Sequence, residues 1–370
     1  MDSNEDSDDR EEDVFILKKG FPIRTRKATY FVQSLIGEGT FGAVYRVIES
    51  TNDSKIHAMK IEKKTVNTSR SKLKTEIRIL RLLANKMHFA KLIDEGCEVT
   101  FSFLIMDLLG KNLADLKKTQ PNEGGHQVAF GPRLRLGTRH VTSRLTGCDL
   151  SNEENYQIFS LATGLNASSQ CLEACRDLHN VGFIHRDVKP ANFACGIEDR
   201  IKVIFMLDFG LSKNLRPEID EEVSQAHRFK GTIRYASLAC HKCEDMGPRD
   251  DCESWFYMMV DFVSPLSLPW RNAKNRRSVL RMKEEIHRDK MDWLLCGLKC
   301  KRSFAKIIKY IDGLKTMDPV DYTFLLKSVE EGAKEAKCDL SAPYDWEITS
   351  QEVVESLPNL SCEWLQDENK

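Results

Sequence analysis

The stretch His185-Arg186-Asp187-Val188-Lys189-Pro190-Ala191-Asn192, followed sixteen residues after Asn192 by Asp208-Phe209-Gly210, decides how this chain reads. It puts two carboxylates, a carboxamide and a lysine on two neighbouring loops. Moving a phosphoryl group from a metal–nucleotide to a hydroxyl asks for little covalent help. It needs metal held between phosphates, a base near the acceptor hydroxyl, and positive charge on the group in transit. Asp187 suits the base, Asn192 and Asp208 the magnesium ligands, and Lys189 the charge. A turn rich in polar caps is the plain alternative. Against it stand the fixed positions His185, Arg186, Asp187, Lys189, Pro190 and Asn192 in one octet, with a second motif at a plausible distance.

Upstream, the other expected parts occur in order. Ile36-Gly37-Glu38-Gly39-Thr40-Phe41-Gly42-Ala43-Val44 joins two alternating stretches, Tyr30 to Leu35 and Val44 to Ile48, that read as a strand hairpin. Its glycines let backbone amides approach phosphates with no side chain in the way. Ile56 to Ile61 is a further strand carrying Ala58 and Lys60, and a charge in an apolar strand needs a partner. Glu76 is the one acid between Glu62 and Asp94. It falls on a predicted helix, 70–84, where Leu73, Ile77, Leu80 and Leu83 share helical spacing. A buried strand, 101–110, follows and contains Met106 and Leu109.

This succession resembles the eukaryotic protein kinases. The resemblance implies an α+β, two-lobed fold with a small β-rich lobe bearing one helix and a larger, mainly helical lobe. It implies ATP and Mg2+ as cofactors. Residues 36–44, Ala58, Met106, Leu109 and Ala194 would surround the nucleotide, with Met106 as gatekeeper, backbone groups near 107–109 on the base edge and Ala194 on the adenine floor. Lys60 would contact the α- and β-phosphates and pair with Glu76. One Asp of the pair Asp250-Asp251, opening a helix through Val263, would anchor the catalytic loop.

Gly231-Thr232-Ile233-Arg234-Tyr235-Ala236-Ser237, then Asp250-Asp251-Cys252-Glu253-Ser254 and Ser267-Leu268-Pro269-Trp270, are similar to the casein kinase 1 group. Leu109-Gly110-Lys111-Asn112-Leu113-Ala114-Asp115-Leu116, Val181-Gly182-Phe183 and Pro190 to Ala194 lean toward its tau-tubulin kinase branch. Lys189, two residues after Asp187, implies serine/threonine rather than tyrosine acceptors. Arg234 falls where this group binds an anion beside the substrate, and Arg281 is a second anion contact. His227 stands where the group has a further lysine.

Charge fits that expectation. Residues 1–13 carry −7, residues 350–370 carry −4 and the whole chain −1, leaving +10 on residues 14–349. A basic body attracts anionic partners. Protein substrates with acidic or phosphorylated segments are therefore the expected partners. No basic stripe interleaved with aromatics points to nucleic acid. No apolar run reaches the ~18 residues of a membrane span. The acidic N-terminus is the opposite of a signal peptide. The expectation is a cytoplasmic monomer, with a nuclear fraction left open. Cys240-His241-Lys242-Cys243 lacks the second pair that a structural zinc site wants. Cys171/Cys175 and Cys296/Cys300 are spaced as buried small residues on a helix face.

The chain divides into an acidic tail (1–27), a kinase-like domain (28–349, with its small lobe to 109) and a second acidic tail (350–370). Later helices are expected at 303–314 and 321–334, before a closing Pro343-Tyr344-Asp345-Trp346. Residues 123–158 break the pattern by adding roughly 35 residues where the resemblance implies a short loop. A docking loop, an inert disordered insertion and translated non-coding sequence all fit. Two rival functions stand beside that reading: a kinase-shaped binding module without chemistry, and phosphotransfer to a small molecule. The presence of Lys60, Asp187 and Asp208 speaks against the first, and the segment from Gly231 to Ser237 against the second.

Overall fold

The computed structural model describes residues 16–39, 42–51, 55–64, 71–120, 157–216 and 229–347. Residues 1–15 and 348–370, the loop tip Thr40-Phe41, His227 and residues 121–156 lie outside them, whereas residues 16–27, read above as part of the tail, are described. The chain forms two compact units. One comprises residues up to Ile77 with Lys91–Leu108, the other Arg78–Ala90 with the chain from Leu109 onward.

The first unit is a six-stranded antiparallel sheet. Its strands are β1 (Pro22–Arg24), β2 (Thr29–Gly39), β3 (Gly42–Glu49), β4 (Ile56–Lys63), β5 (Leu92–Cys97) and β6 (Phe101–Asp107), in the order β1-β2-β3-β4-β6-β5. Alternation sets the faces: Ala43, Tyr45 and Val47 of β3 turn inward, onto Tyr30, Val32, Met59, Ile61, Phe103 and Ile105. Helix α1 (Lys72–Leu82) has no acid in its first turn. Glu62 of β4 supplies one, accepting from Lys72 N at 2.9 Å and Leu73 N at 3.3 Å, with the Ser71 hydroxyl also bound. This capping carboxylate satisfies orphan amides and complements the helix dipole. It also moves the start from the expected Arg70 to Lys72. The buried stripe runs Leu73, Glu76, Ile79, Leu80 and Leu83, and Ile77 is only half-buried.

The second unit is mainly helical: α2 (Leu113–Lys118), α3 (Leu161–Asn180), α4 (Leu238–Lys242), α5 (Pro248–Val263), α6 (Arg276–Glu285), α7 (Met291–Leu294), α8 (Lys301–Gly313) and α9 (Tyr322–Glu335). Two short strand pairs accompany them: β7 (Phe183–Ile184) with β10 (Lys213–Asn214), and β8 (Phe193–Cys195) with β9 (Ile204–Met206). From Asp250 to Phe262 every residue of α5 is buried, making it the axis of this unit. It packs on α3, where Gly164 is required: a Cβ there would lie 2.5 Å from a Val263 methyl. Trp255 Nε1 donates to Ser168 O at 2.7 Å across the same contact.

The start of α3 is held from far along the chain. Asp345 accepts from Ser160 N at 2.7 Å and from the Thr163 hydroxyl at 2.9 Å. Phe159 N donates to Phe262 O at 3.1 Å, and the Phe159 ring packs edge-on against Phe262 and Trp346. Cys171 and Cys175 are buried on α3 as their spacing predicts. Cys296 and Cys300 differ from expectation: Cys296 is exposed in the turn after α7, and Cys300 is buried just ahead of α8. A turn separates them, so no common helix face exists. Among the described residues no helix is long and apolar enough to cross a membrane.

Candidate active site

In the second unit, the loop from His185 to Asn192 is built on a buried carboxylate. Asp251, 1% exposed on α5, accepts from His185 N at 2.6 Å and from Arg186 N at 2.8 Å. His179 Nε2 lies 2.9 Å from the same carboxylate, and its other ring nitrogen meets the Tyr322 hydroxyl. Burial opposes ionisation of Asp251. The hydrogen bond and charge of His179, with the backbone N–H of His185, outweigh burial and hold the pKa below the usual carboxylate value. Asp251 is thus the anchoring member of its pair. Asp250 caps its own helix instead, accepting from Gly247 N at 2.8 Å.

The clamp supports a strained residue. Arg186 has φ 67°, in the left-handed region, which costs a side-chain-bearing residue about 1–3 kcal/mol. A bond from Arg186 Nε to Leu211 O at 2.6 Å fixes its other end. The next residue, Asp187, then sits among donors. Its Oδ1 accepts from the Thr232 hydroxyl at 2.8 Å. Its Oδ2 meets Lys189 Nζ at 2.6 Å and Asn192 Nδ2 at 3.2 Å. Asn192 Nδ2 also donates to Asp187 O at 2.8 Å. Asp187 N donates to His185 Nδ1 at 3.3 Å, so His185 carries its proton on Nε2 and donates to Leu207 O at 3.0 Å.

The two loops are tied together by Leu207 N donating to Asn192 O at 2.8 Å. Asp208 follows in a left-handed conformation, φ 60° and ψ 79°, and opens the turn Phe209–Leu211. Phe209 is buried against Phe89 and His185, with ring centroids 6.0 and 5.7 Å away. Asp187, Lys189 and Asn192 therefore form one bonded cluster, with Asp208 on the segment joined to it. Ala194 is buried on β8 and bridges to Asn112, while Leu109 is half-buried.

In the first unit, Lys60 Nζ lies 2.6 Å from Glu76 Oε2, and Glu76 is 3% exposed. Gly37 pairs with Val44, Glu38 with Ala43 and Gly39 with Gly42 across the β2–β3 hairpin. The two glycines differ in cause. A Cβ on Gly42 would sit 1.8 Å from Ile61 O, so packing alone demands glycine there. A Cβ on Gly37 would meet nothing within 4 Å, so the fold itself makes no such demand. Ile36 is half exposed. Ala58 and Met106 are paired across β4 and β6. Of the hinge amides, Asp107 N is taken by Lys91 O at 3.1 Å.

On the substrate side, Arg234 is half-buried. Its Nε donates to Arg271 O at 3.2 Å, its guanidinium lies 5.8 Å from the Tyr235 ring, and Trp270 Nε1 donates to Arg234 O. Arg281 is exposed on α6, and the groups that fix Arg234 do not include it. Two sets of residues escaped the sequence reading. Thr232, in a segment read only as a subgroup mark, touches Asp187. Lys117 and Arg271 converge on buried Asp261. These contacts span 45 and 144 residues of chain in the cases of Thr232 and Lys117, and a period or local motif carries no such information.

Residues 31–309 match the family of protein tyrosine and serine/threonine kinases. The chain belongs to that family, and its sheet-based and helical units are the two lobes of the kinase fold. Its domain is that of a protein serine/threonine kinase. It is similar to a Dictyostelium discoideum protein named as a serine/threonine-protein kinase, 27% identical over 325 residues, covering 87% of this chain and 57% of the relative. Spe-6, a serine/threonine-protein kinase of Caenorhabditis elegans, is 27% identical over 321 residues, 84% of this chain and 74% of its own. A second C. elegans protein named as such a kinase is 29% identical over 305 residues, 80% of this chain and 79% of its own.

Proposed function

We propose that this protein transfers the γ-phosphoryl group of ATP to serine or threonine hydroxyls of proteins, favouring acidic or already phosphorylated substrates. We place it in the casein kinase 1 group, near the tau-tubulin kinases. The observation that carries the reading is Asp187 held among Thr232, Lys189 and Asn192 at 2.8, 2.6 and 3.2 Å.

The family generally uses ATP and magnesium, and the residues present fit both. Asn192 spends its amide nitrogen on Asp187, which leaves the amide oxygen as the atom a hard cation takes. Asp208 supplies a carboxylate. Gly37 has room where a phosphate must come close to backbone. When bound, magnesium neutralises charge on the phosphates.

The chain's own residues do the rest. Asp187 orients the acceptor hydroxyl and takes its proton as the oxygen bonds to phosphorus. Lys189 offsets the charge on the transferring group. Lys60, positioned by Glu76, binds the α- and β-phosphates. By likeness to the family, Ile36, Val44, Ala58 and Met106, together with Leu109 and Ala194, are assigned to the base, and the amides of residues 37–39 and 42 to the phosphates. Arg234 and Arg281 attract anionic substrate. Protein substrates are the partners, and a cytoplasmic monomer is the working state.

The test is a transfer assay on the purified protein with ATP, magnesium and Ser, Thr and Tyr peptide libraries. Asp187→Asn is the control. The variant should lose about a thousandfold or more in kcat while still binding nucleotide. Transfer that survives Asp187→Asn sinks the assignment. No transfer by the parent protein, with ATP bound, favours a binding module.

A further inference from the structure

Phosphoryl transfer makes no use of Cys240-His241-Lys242-Cys243, which spans the end of α4 and its cap. Cys243 N donates to Cys240 O at 3.1 Å. A turn closed by that bond keeps the two Cα atoms within about 7 Å of each other, and side chains three apart on a helix are neighbours. A disulfide asks for Cα atoms about 4.4–6.8 Å apart. Side-chain rotation is then enough to join the pair. His241, between them, is engaged elsewhere: its Nε2 meets Ile233 O at 3.1 Å.

The two sulfurs differ. Cys243 is half-buried, and Arg276 Nη1, at the start of α6, donates to its Sγ at 3.2 Å. A cation there supports the negative charge that a sulfur carries when it attacks an oxidant. The guanidinium is itself steadied over the Phe229 ring, 5.3 Å away. Cys243 has φ 59°, where a helix is ordinarily capped by glycine or asparagine, so the backbone does not ask for cysteine at this point. Cys240 is buried, and burial pushes its pKa up to about 11. It stays a thiol until a sulfur beside it is oxidised.

Cys240 also steadies the segment that touches the catalytic aspartate. Its thiol donates to Lys230 O at 3.1 Å. At Gly231, with φ 126°, a Cβ would lie 2.9 Å from Arg186 O, 3.6 Å from Asp187 Oδ1 and 3.9 Å from Cys240 Sγ. The backbone there is pressed between the catalytic loop and this sulfur. The next residue, Thr232, donates to Asp187 Oδ1 at 2.8 Å. A disulfide has no S–H. Oxidation therefore removes the donor to Lys230 O and draws the sulfur away from Gly231.

We propose that Cys240 and Cys243 form a reversible dithiol–disulfide site for hydrogen peroxide, and that the disulfide loosens residues 230–236 so that Thr232 no longer holds Asp187. The Cys243 sulfur attacks the peroxide; the O–O bond breaks, a sulfenic acid forms and one water leaves. The Cys240 sulfur then bonds to the Cys243 sulfur. The S–O bond breaks, and the hydroxyl departs with the Cys240 proton as a second water. Two thiols give up two electrons and two protons, which the peroxide takes. A dithiol reductant reverses the change by exchange. Formation of the cross-link is independent of the kinase reading; only its effect on rate rests on that reading.

The experiment treats the reduced full chain with hydrogen peroxide and reads it by peptide mass mapping and hydrogen exchange. The peptide carrying Cys240 and Cys243 should lose two hydrogens. The amides of Tyr235 and Ala236, which bond Thr232 O at 3.0 and 2.9 Å, should exchange about tenfold faster. In a transfer assay kcat should fall about tenfold, and dithiothreitol should reverse all three changes. Cys243→Ser should keep the basal rate and lose every response to peroxide. Cys240→Ser keeps a donor for Lys230 O and cannot cross-link, so it should resist as well. The proposal is overturned if Cys240 and Cys243 stay unlinked while other thiols oxidise. It is equally overturned if exchange at Tyr235 and Ala236 is unchanged in the cross-linked protein, or if Cys243→Ser responds as the parent does. A chain that cross-links and loosens in this way yet transfers nothing in either state refutes the proposed activity and leaves the dithiol site standing.

Discussion

Replacing Asp251 with asparagine tests the architecture of the catalytic loop most directly. The carboxylate takes His185 N and Arg186 N at 2.6 and 2.8 Å, and charge-assisted bonds of this kind contribute about 1.5–3 kcal/mol each. Asparagine retains one acceptor and turns an amide NH2 toward the other backbone N–H. One bond is lost and a buried donor is left unpaired, a combined cost of about 2–4 kcal/mol. In a unit of this size that lowers Tm by about 5–15 °C. Arg186, at φ 67°, then relaxes toward an ordinary conformation and carries Asp187 with it, so kcat should fall about tenfold to a hundredfold.

Acid provides an internal check on the same residue. Asp251 has a lowered pKa in the fold. The stability it contributes is present above the unfolded carboxylate value of about 3.9 and disappears as pH falls through the lower folded value. The difference in Tm between wild type and Asp251→Asn should therefore be widest near neutrality and narrow steadily below about pH 4. Circular dichroism melts across that range, with steady-state kinetics at neutral pH, measure both effects. A variant that melts within about 1 °C of wild type and keeps its kcat would refute the anchoring role.

Thr232→Val removes the donor to Asp187 Oδ1 at 2.8 Å and should lower kcat about tenfold, whereas Thr232→Ser should restore most of it; equal kinetics for the two would remove Thr232 from the site. Gly42→Ala drives a methyl into Ile61 O and should destabilise the sheet unit by about 1–3 kcal/mol. Gly37→Ala has space, so it should melt normally and raise the KM for ATP. Matching Tm losses in the two glycine variants would contradict that contrast. Burial raises the Asp250 pKa to about 6, so the fold holds a proton there that the unfolded chain gives up near about 3.9. Stability should decline as pH rises between those values, and Asp250→Asn should flatten that part of a Tm-against-pH profile.

The chemistry was legible in the sequence because it is local. His185 to Asn192 and Asp208 to Gly210 are contiguous runs, and the glycine hairpin is bounded by strands whose alternation is visible. Pairing of Lys60 with Glu76 was readable because no rival acid lies between Glu62 and Asp94. What escaped depends on residues brought together only by folding. The first turn of α1 is set by Glu62, a strand residue, and not by the helix's own sequence. Ile79 rather than Ile77 faces the core because Glu76 turns that face toward Lys60. Cys296 and Cys300 keep helical spacing in the sequence, yet a turn falls between them. The Asp261 cluster joins α2, α5 and the turn at Arg271, three segments whose spacing carries no common period.

The attachment of Asp345, Trp346 and Phe262 to the start of α3 separates two questions that the sequence had joined. Whatever course residues 121–156 take, the chain comes back to a mooring at Phe159 and Ser160 that is assembled entirely from residues after them. The helix leading to His185 takes its register from that mooring. The contacts of that mooring involve none of the residues 121–156, whereas loss of the few residues around Asp345 would set the helix adrift at its first turn.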